Sequence, residues 1–237
     1  MSFDHKAPGL GKPRVTGPEA MVETVLELGI VPFFANHIPG YSIEEMTPKE
    51  NWFDTQENLS YTPWDWKIAC VQCGDIAYGK FLCGGKAAFA SLEFYRELRA
   101  WRLAQEKYRP DAAQRQILDY LSQYGSIGIK ETRALLGIKK GQADALMTKL
   151  QMQCRVITGD ITRVYRGPDL HYNGWQVSSF CTPEAFFDIA APPGFPFAID
   201  NSLEVNHSAD EAWYKLSSHI RRLYPDCTDA DLRRLLK

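Results

Sequence analysis

The stretch from residue 109 to 190 constrains the fold of this chain more than any other. Asp111 is a helix cap, and Ala112 to Tyr124 sets Ile117, Leu118, Tyr120 and Leu121 at helical spacing before Gly125-Ser126 breaks the run. Ile127-Gly128-Ile129 is a short extended piece. Lys130 to Leu136 predicts a second helix closed by Gly137, and Gly141 to Leu150 a third. Val156-Ile157 and Val164-Tyr165 then flank a polar turn, and Trp175 to Phe180 has the alternation of a later strand. Three helices followed by a β hairpin predict a winged helix, with Ile127–Ile129 as the small strand of its sheet and Arg166 to Gly174 as the wing tip.

The remaining segments predict an α+β chain. Gly17-Pro18-Glu19 opens an amphipathic helix to Leu28, stopped by Gly29, and five prolines and glycines then break Ile30 to Pro63 into turns with a short helix near Pro48–Phe53. Trp66–Gln72, Ile76–Leu82 and Lys86–Ala90 have the pattern of a three-stranded antiparallel meander with turns at Cys73-Gly74-Asp75 and Gly84-Gly85, followed by a helix from Ser91 to Leu103. Thr182-Pro183 starts a short helix, Pro192 to Pro196 is a stiff linker, and capping residues at Ser208 and Thr228 open two C-terminal helices. The expected division is a flexible arm at 1–17, a small α/β domain at 18–108, the winged helix at 109–190, and a linker with C-terminal helices at 191–237 packed back on the winged helix.

No leader-like apolar segment opens the sequence, and no run of about 18 apolar residues occurs, so a cytoplasmic protein without membrane contact is expected. The six cysteines are then reduced thiols. Cys70-Val-Gln-Cys73 is half of a zinc knuckle, but a structural zinc needs four ligands and a second Cys-x-x-Cys is missing, so neither metal nor other cofactor is expected, and the pair reads as strand residues beside a turn. The five histidines are isolated, and the phosphate-loop, dinucleotide, serine-hydrolase and zinc-protease signatures are absent.

Charge distribution points to a partner. The whole chain carries −2, which excludes an all-over basic binder, yet residues 109–166 hold ten basic and five acidic side chains and are +5, leaving −7 elsewhere. A basic module in an acidic chain suits phosphate contact, and DNA is the expected partner. The candidate phosphate-binding residues are Lys130, Arg133, Lys139, Lys140, Lys149, Arg155, Arg163 and Arg166. The third helix has few groove-reading side chains, so backbone contact is favoured over direct readout of bases. The alternative is a winged helix used as a non-enzymatic regulatory or protein-interaction module.

Two further features carry chemistry. Trp52, Phe53, Tyr61, Trp64 and Trp66 crowd within fifteen residues; they could stack a base, but a small-domain core is favoured, with Asp65 between two tryptophans as a carboxylate facing solvent or an apolar cleft. At the junction of the third helix with the following strand, Gln151-Met152-Gln153 resembles the glutamine–aliphatic–glutamine motif of the crosslink-unhooking winged-helix DNA glycosylases, the AlkZ-like family. The resemblance covers about residues 109–187, and the organisation is closer to bacterial relatives grouped loosely with that family than to its enzymes. It implies hydrolysis of the N-glycosidic bond of an alkylated purine in DNA, with Gln151 and Gln153 as the catalytic residues. A cationic alkylated base leaves readily, so neutral amides that position water and support the sugar cation could suffice.

Overall fold

The computed structural model describes residues 14–53, 62–189 and 203–237. Helix α1 (Pro18–Leu28) has proline in its first turn and ends at Gly29, whose φ of 72° returns the chain directly into β1 (Ile30–Pro32). A short helix α2 (Ile43–Met46) capped by Ser42 and a 3₁₀ turn (Lys49–Trp52) follow, then α3 (Pro63–Gln72), β2 (Ile76–Leu82), β3 (Lys86–Ser91) and α4 (Leu92–Leu103). Beyond a second 3₁₀ turn (Glu106–Tyr108) come α5 (Ala112–Tyr124), β4 (Ile127–Gly128), α6 (Ile129–Leu136), α7 (Lys140–Met152), β5 (Ile157–Arg166), β6 (His171–Cys181) and α8 (Pro183–Ile189). Helices α9 (Ala209–Leu223) and α10 (Asp229–Leu235) close the chain.

The fold is α+β with two antiparallel three-stranded sheets, ordered β1-β3-β2 and β4-β6-β5. In the first, β3 is central because Ala88, Phe89 and Ala90 are buried in succession, as a strand covered on both faces requires. Pro32 ends β1 on the sheet edge, where its missing N–H costs no ladder bond. This is not the expected meander. Trp66–Gln72 is helical: Thr62-Pro63 starts α3, and the helix is buried on two sides. Trp66 and Cys70, one turn apart, enter the main core, while Ile68 and Val71 pack with Ile161 of β5. A helix covered on two sides has no single apolar stripe, so its alternation imitated a strand. Cys70 and Cys73 accordingly sit at a helix end, where the Cys73 thiol donates to the Cys70 carbonyl at 3.1 Å.

Other expectations are corrected locally. Residues 14–17 are no loose arm: Val15 is buried, and its N–H and that of Arg14 both donate to the Met46 carbonyl. Residues 1–13, Tyr61 and the Pro192–Pro196 linker lie outside the described residues. The polar turn expected between Val156 and Val164 is the middle of β5, whose register slips at Gly159; the hairpin tip is narrower, at residues 167–170. The C-terminal helices pack chiefly on α4 rather than on the 112–181 unit, of which Cys154, Ile157 and Cys181 share their cluster. Helix α9 lies along α4, and Leu216, Ile220, Leu232, Leu235 and Leu236 join the core built by the first sheet. The Cys83 and Gly84 N–H groups, in the β2–β3 turn, donate to the carbonyls of Leu235 and Lys237 at 2.8 and 2.9 Å.

Arg102 binds these parts together. It is fully buried on α4 and donates to three carbonyls: Met152 at the end of α7 (2.8 Å), Phe81 of β2 (2.6 Å) and Leu236 after α10 (2.6 Å). Two helix C-termini, the negative ends of their dipoles, thus converge on one guanidinium.

Candidate functional site

Helix α7 carries the sequence motif, and its last turn decides the site. The helix runs to Met152, so Gln151 is helical and Gln153 caps it. Two residues apart on a helix means about 200° of rotation, so the two side chains leave in different directions. Both are buried, at 3% and 6% exposure. Gln151 turns toward β2. Its Oε1 accepts the Lys80 N–H at 2.9 Å, and its Nε2 donates to the Met147 carbonyl at 3.2 Å. The Lys80 N–H is available because the β2–β3 register slips between Gly79 and Leu82. At Gly79 an added Cβ would lie 2.8 Å from Gln151 Oε1, so the bonded amide would have to shift to admit it. Gln153 turns toward α5. Its Nε2 donates to Gln114 Oε1 at 3.0 Å, an oxygen that also accepts the Asp111 N–H of the α5 capping box.

Each glutamine lines its own cleft. Gln151 lies on the floor of a cleft of about 910 Å³ between β2, α6, α7 and the β5–β6 hairpin. Its basic side chains are Lys80, Lys130, Arg133, Lys140 and Arg166; Glu131 and Asp144 are the acids. Trp175 and Val177, on one face of β6, line it while remaining 55% and 53% exposed. Gln153 lines a second cleft of about 310 Å³ with Lys107, Arg109 and Lys149. Its Oε1 is buried without a hydrogen-bond partner among the described residues.

Of the eight basic candidates, the structure gathers Lys130, Arg133, Lys140 and Arg166 at the Gln151 cleft and puts Lys149 beside Gln153. Lys139 precedes α7, its N–H held by Gln142. Arg155 is half-buried near Arg99, and burial, then that neighbouring cation, lowers its pKa. Arg163 is committed elsewhere. Its Nε donates to Asp65 at 3.1 Å, and the same carboxylate oxygen accepts from the Tyr172 hydroxyl (2.5 Å) and from Gln176 Nε2 (3.0 Å). Asp65 is therefore a buried, bonded clasp between α3 and the hairpin rather than a solvated carboxylate. Burial first, then the bond to Asp65, raises the Tyr172 pKa.

Sequence reasoning missed Lys80, Trp175 and Gly79. Trp175 opens an alternating strand and could have been singled out; Lys80 enters only through a contact 71 residues away from Gln151. Among the described residues no cluster of three or more His, Cys, Asp or Glu side chains is placed to hold a metal, and no helix is long and apolar enough to cross a membrane.

Fold and site together define an α+β chain with a basic, aromatic-walled cleft between its two sheets. The family model described as AlkZ related matches residues 15–237, nearly the whole chain, and the chain belongs to that family. The match extends the likeness far beyond residues 109–187 and brings a DNA-repair, glycosylase-like relationship. No curated protein and no solved structure matches it.

Proposed function

We propose that this protein binds DNA through a winged helix at residues 112–181 and acts on the N-glycosidic bond of an alkylated purine nucleotide held in the Gln151 cleft. The observation that carries this reading is the juxtaposition of a pinned amide, an exposed tryptophan and a basic rim in one cleft. Helix order α5-α6-α7, followed by the long β5–β6 hairpin with β4 on its edge, supports the winged helix. Lys130, Arg133, Lys140 and Arg166 hold phosphates, and Trp175 offers a face for stacking an unpaired base. Gln151 keeps one unused lone pair on Oε1 and one unused N–H on Nε2. While pinned at both ends it can hold a water against the sugar carbon from which a cationic base departs. Gln153 serves as a positioning residue that ties the end of α7 to the cap of α5. Lys139 and Lys149 extend the basic surface; Arg163 and Arg155 contribute to packing.

A second reading, a non-enzymatic DNA-binding or protein-interaction module, is favoured by one observation: both amides are bonded and buried, and they do not converge on a common point. Duplex DNA carrying N7-alkylguanine separates the two. Hydrolysis yields abasic sites with wild type and not with Gln151→Ala, whereas Gln153→Ala keeps part of the activity. No abasic product at enzyme excess refutes the enzymatic reading. Binding is a separate measurement: affinity falls steeply with salt if several phosphates are contacted, and Lys140→Glu with Arg166→Glu flattens that slope. Undetectable binding at low salt removes the DNA reading altogether.

A further inference from the structure

Strand β6 is irregular where it enters the basic cleft. Arg163 of β5 pairs with Gln176 and Tyr165 with Tyr172, so Val164 alone stands opposite Asn173, Gly174 and Trp175. Strand β6 therefore bulges, and Gly174 turns the bulge with a φ of 80°. One contact shows how tightly it is closed. Residues four apart on a regular strand lie about 13 Å from each other. Here Gln176 Nε2 reaches the Tyr172 hydroxyl at 3.0 Å. Trp175, inside the loop closed by that bond, lines the Gln151 cleft while 55% exposed.

A side chain from another element holds the neck of this bulge. Asp65 Oδ1, in the first turn of α3, accepts from the Tyr172 hydroxyl at 2.5 Å, from Gln176 Nε2 at 3.0 Å and from Arg163 Nε at 3.1 Å. These three donors are the two ends of the bulge and the β5 residue paired with one of them. The Tyr172 ring is held further by the Tyr165 ring, 5.6 Å away between centroids, and by the Arg163 guanidinium at 5.7 Å. Gln176 Nε2 also donates to the Trp64 carbonyl at 3.0 Å. Asp65 is only 6% exposed and is not among the described residues that line the cleft. It acts on the cleft through the hairpin.

We propose that Asp65 is a positioning residue: by closing the β6 bulge it fixes the direction in which Trp175 presents its indole face to an unpaired base. The consequence for a base rests on the DNA-binding reading of the cleft. The consequence for Trp175 does not.

Two measurements on the full chain keep these apart. In the free protein the Trp175 indole N–H resonance, assigned from Trp175→Phe, moves in Asp65→Ala and in Tyr172→Phe. The resonances of Trp101 and Trp213, which stack on each other between α4 and α9, stay in place. Tyr172→Phe keeps the ring and removes only the hydroxyl shared by Asp65 and Gln176, so it serves even where Asp65→Ala does not fold. With DNA, a duplex holding one adenine opposite an abasic analogue is compared with the same duplex fully paired. Wild type prefers the unpaired base by ~5-fold or more, and Trp175→Ala abolishes the preference. Tyr172→Phe loses most of it, and costs nothing further when added to Trp175→Ala. Affinity for the paired duplex, set by phosphate contacts, stays within about 2-fold. A clasp that is merely structural would lower stability and leave the preference at its wild-type value. An unmoved Trp175 resonance, equal affinity of wild type for the two duplexes, or a full preference in Tyr172→Phe overturns the proposal. A moved resonance without any DNA binding refutes the DNA reading and leaves the positioning of Trp175 by Asp65 standing.

Discussion

Replacing Arg102 by methionine tests how the molecule is held together. The change keeps an unbranched chain, two heavy atoms shorter, but removes three hydrogen bonds to carbonyls, of Met152, Phe81 and Leu236, and a longer one to the Cys154 sulfur. The Met152 and Leu236 carbonyls lie at helix ends, where no intrahelical donor exists. The Phe81 carbonyl lies in the slipped part of the β2–β3 pairing. Each buried acceptor left without a donor costs about 1–3 kcal/mol. Against this, the guanidinium reaches carbonyls rather than a carboxylate, and its removal returns part of the cost of burying a charge. The bonds should win, because three fixed carbonyls cannot all rotate to water, and the expected net loss is about 3–5 kcal/mol. For a chain of this length that lowers the midpoint of thermal unfolding by roughly 10–15 °C. Urea unfolding of wild type, Arg102→Met and Arg102→Lys measures it. Lysine should fall between the two, since an ammonium cannot bridge three divergent acceptors. A methionine variant within about 1 kcal/mol of wild type would refute the argument, showing that desolvation cancels the bonds.

Three other outcomes follow from the same geometry. Gly79→Ala drives a methyl to 2.8 Å from Gln151 Oε1 and 3.2 Å from the Phe81 ring, so urea unfolding should show a loss of about 1–3 kcal/mol, and the Gln151 side-chain amide resonance should move. Asp65→Ala leaves Arg163, Tyr172 and Gln176 without their shared acceptor; about 3 kcal/mol of stability should be lost, and Asp65→Asn should lose less. His219 Nε2 meets the Leu28 carbonyl at 2.7 Å, and burial lowers its pKa below the ordinary 6.5. The unfolded chain therefore binds a proton more readily; His219 stabilises fully above pH 6.5, and that share is lost as pH falls through the lowered folded value. In His219→Gln the stability–pH curve should be flatter across that window, and an unchanged curve refutes a neutral, bonded imidazole.

Helix boundaries were legible wherever a cap was written locally. Asp111 with Gln114, Ser208 with Glu211 and Thr228 with Asp231 each form reciprocal capping boxes at the expected starts, and Gly29 stops α1. What failed depended on distant partners. Helix α3 lost its stripe because two separate clusters cover it. Arg102 sits among charged neighbours on α4 and gives no sign in sequence that carbonyls 21, 50 and 134 residues away surround it. The candidate glutamines were found, but their relation was not. Spaced by two, they share a face only in extended chain, and α7 runs two residues further than its apolar pattern suggested. Trp175 was read as an ordinary strand residue because exposure is a property of the assembled cleft.

The bond from Lys80 to Gln151 makes a side chain of one unit complete the main-chain pairing of another. Strand β2 carries a gap that only an acceptor at one height on α7 can fill. Among relatives, a small residue at position 79 and an amide or hydroxyl at 151 should therefore be inherited together, and exchanged together when either changes. A one-residue insertion in α7 or in β2 would move the acceptor past its gap, so length variation in this lineage should be absent within β2 and α7 wherever the pair is kept and should collect in connections such as the β5–β6 tip.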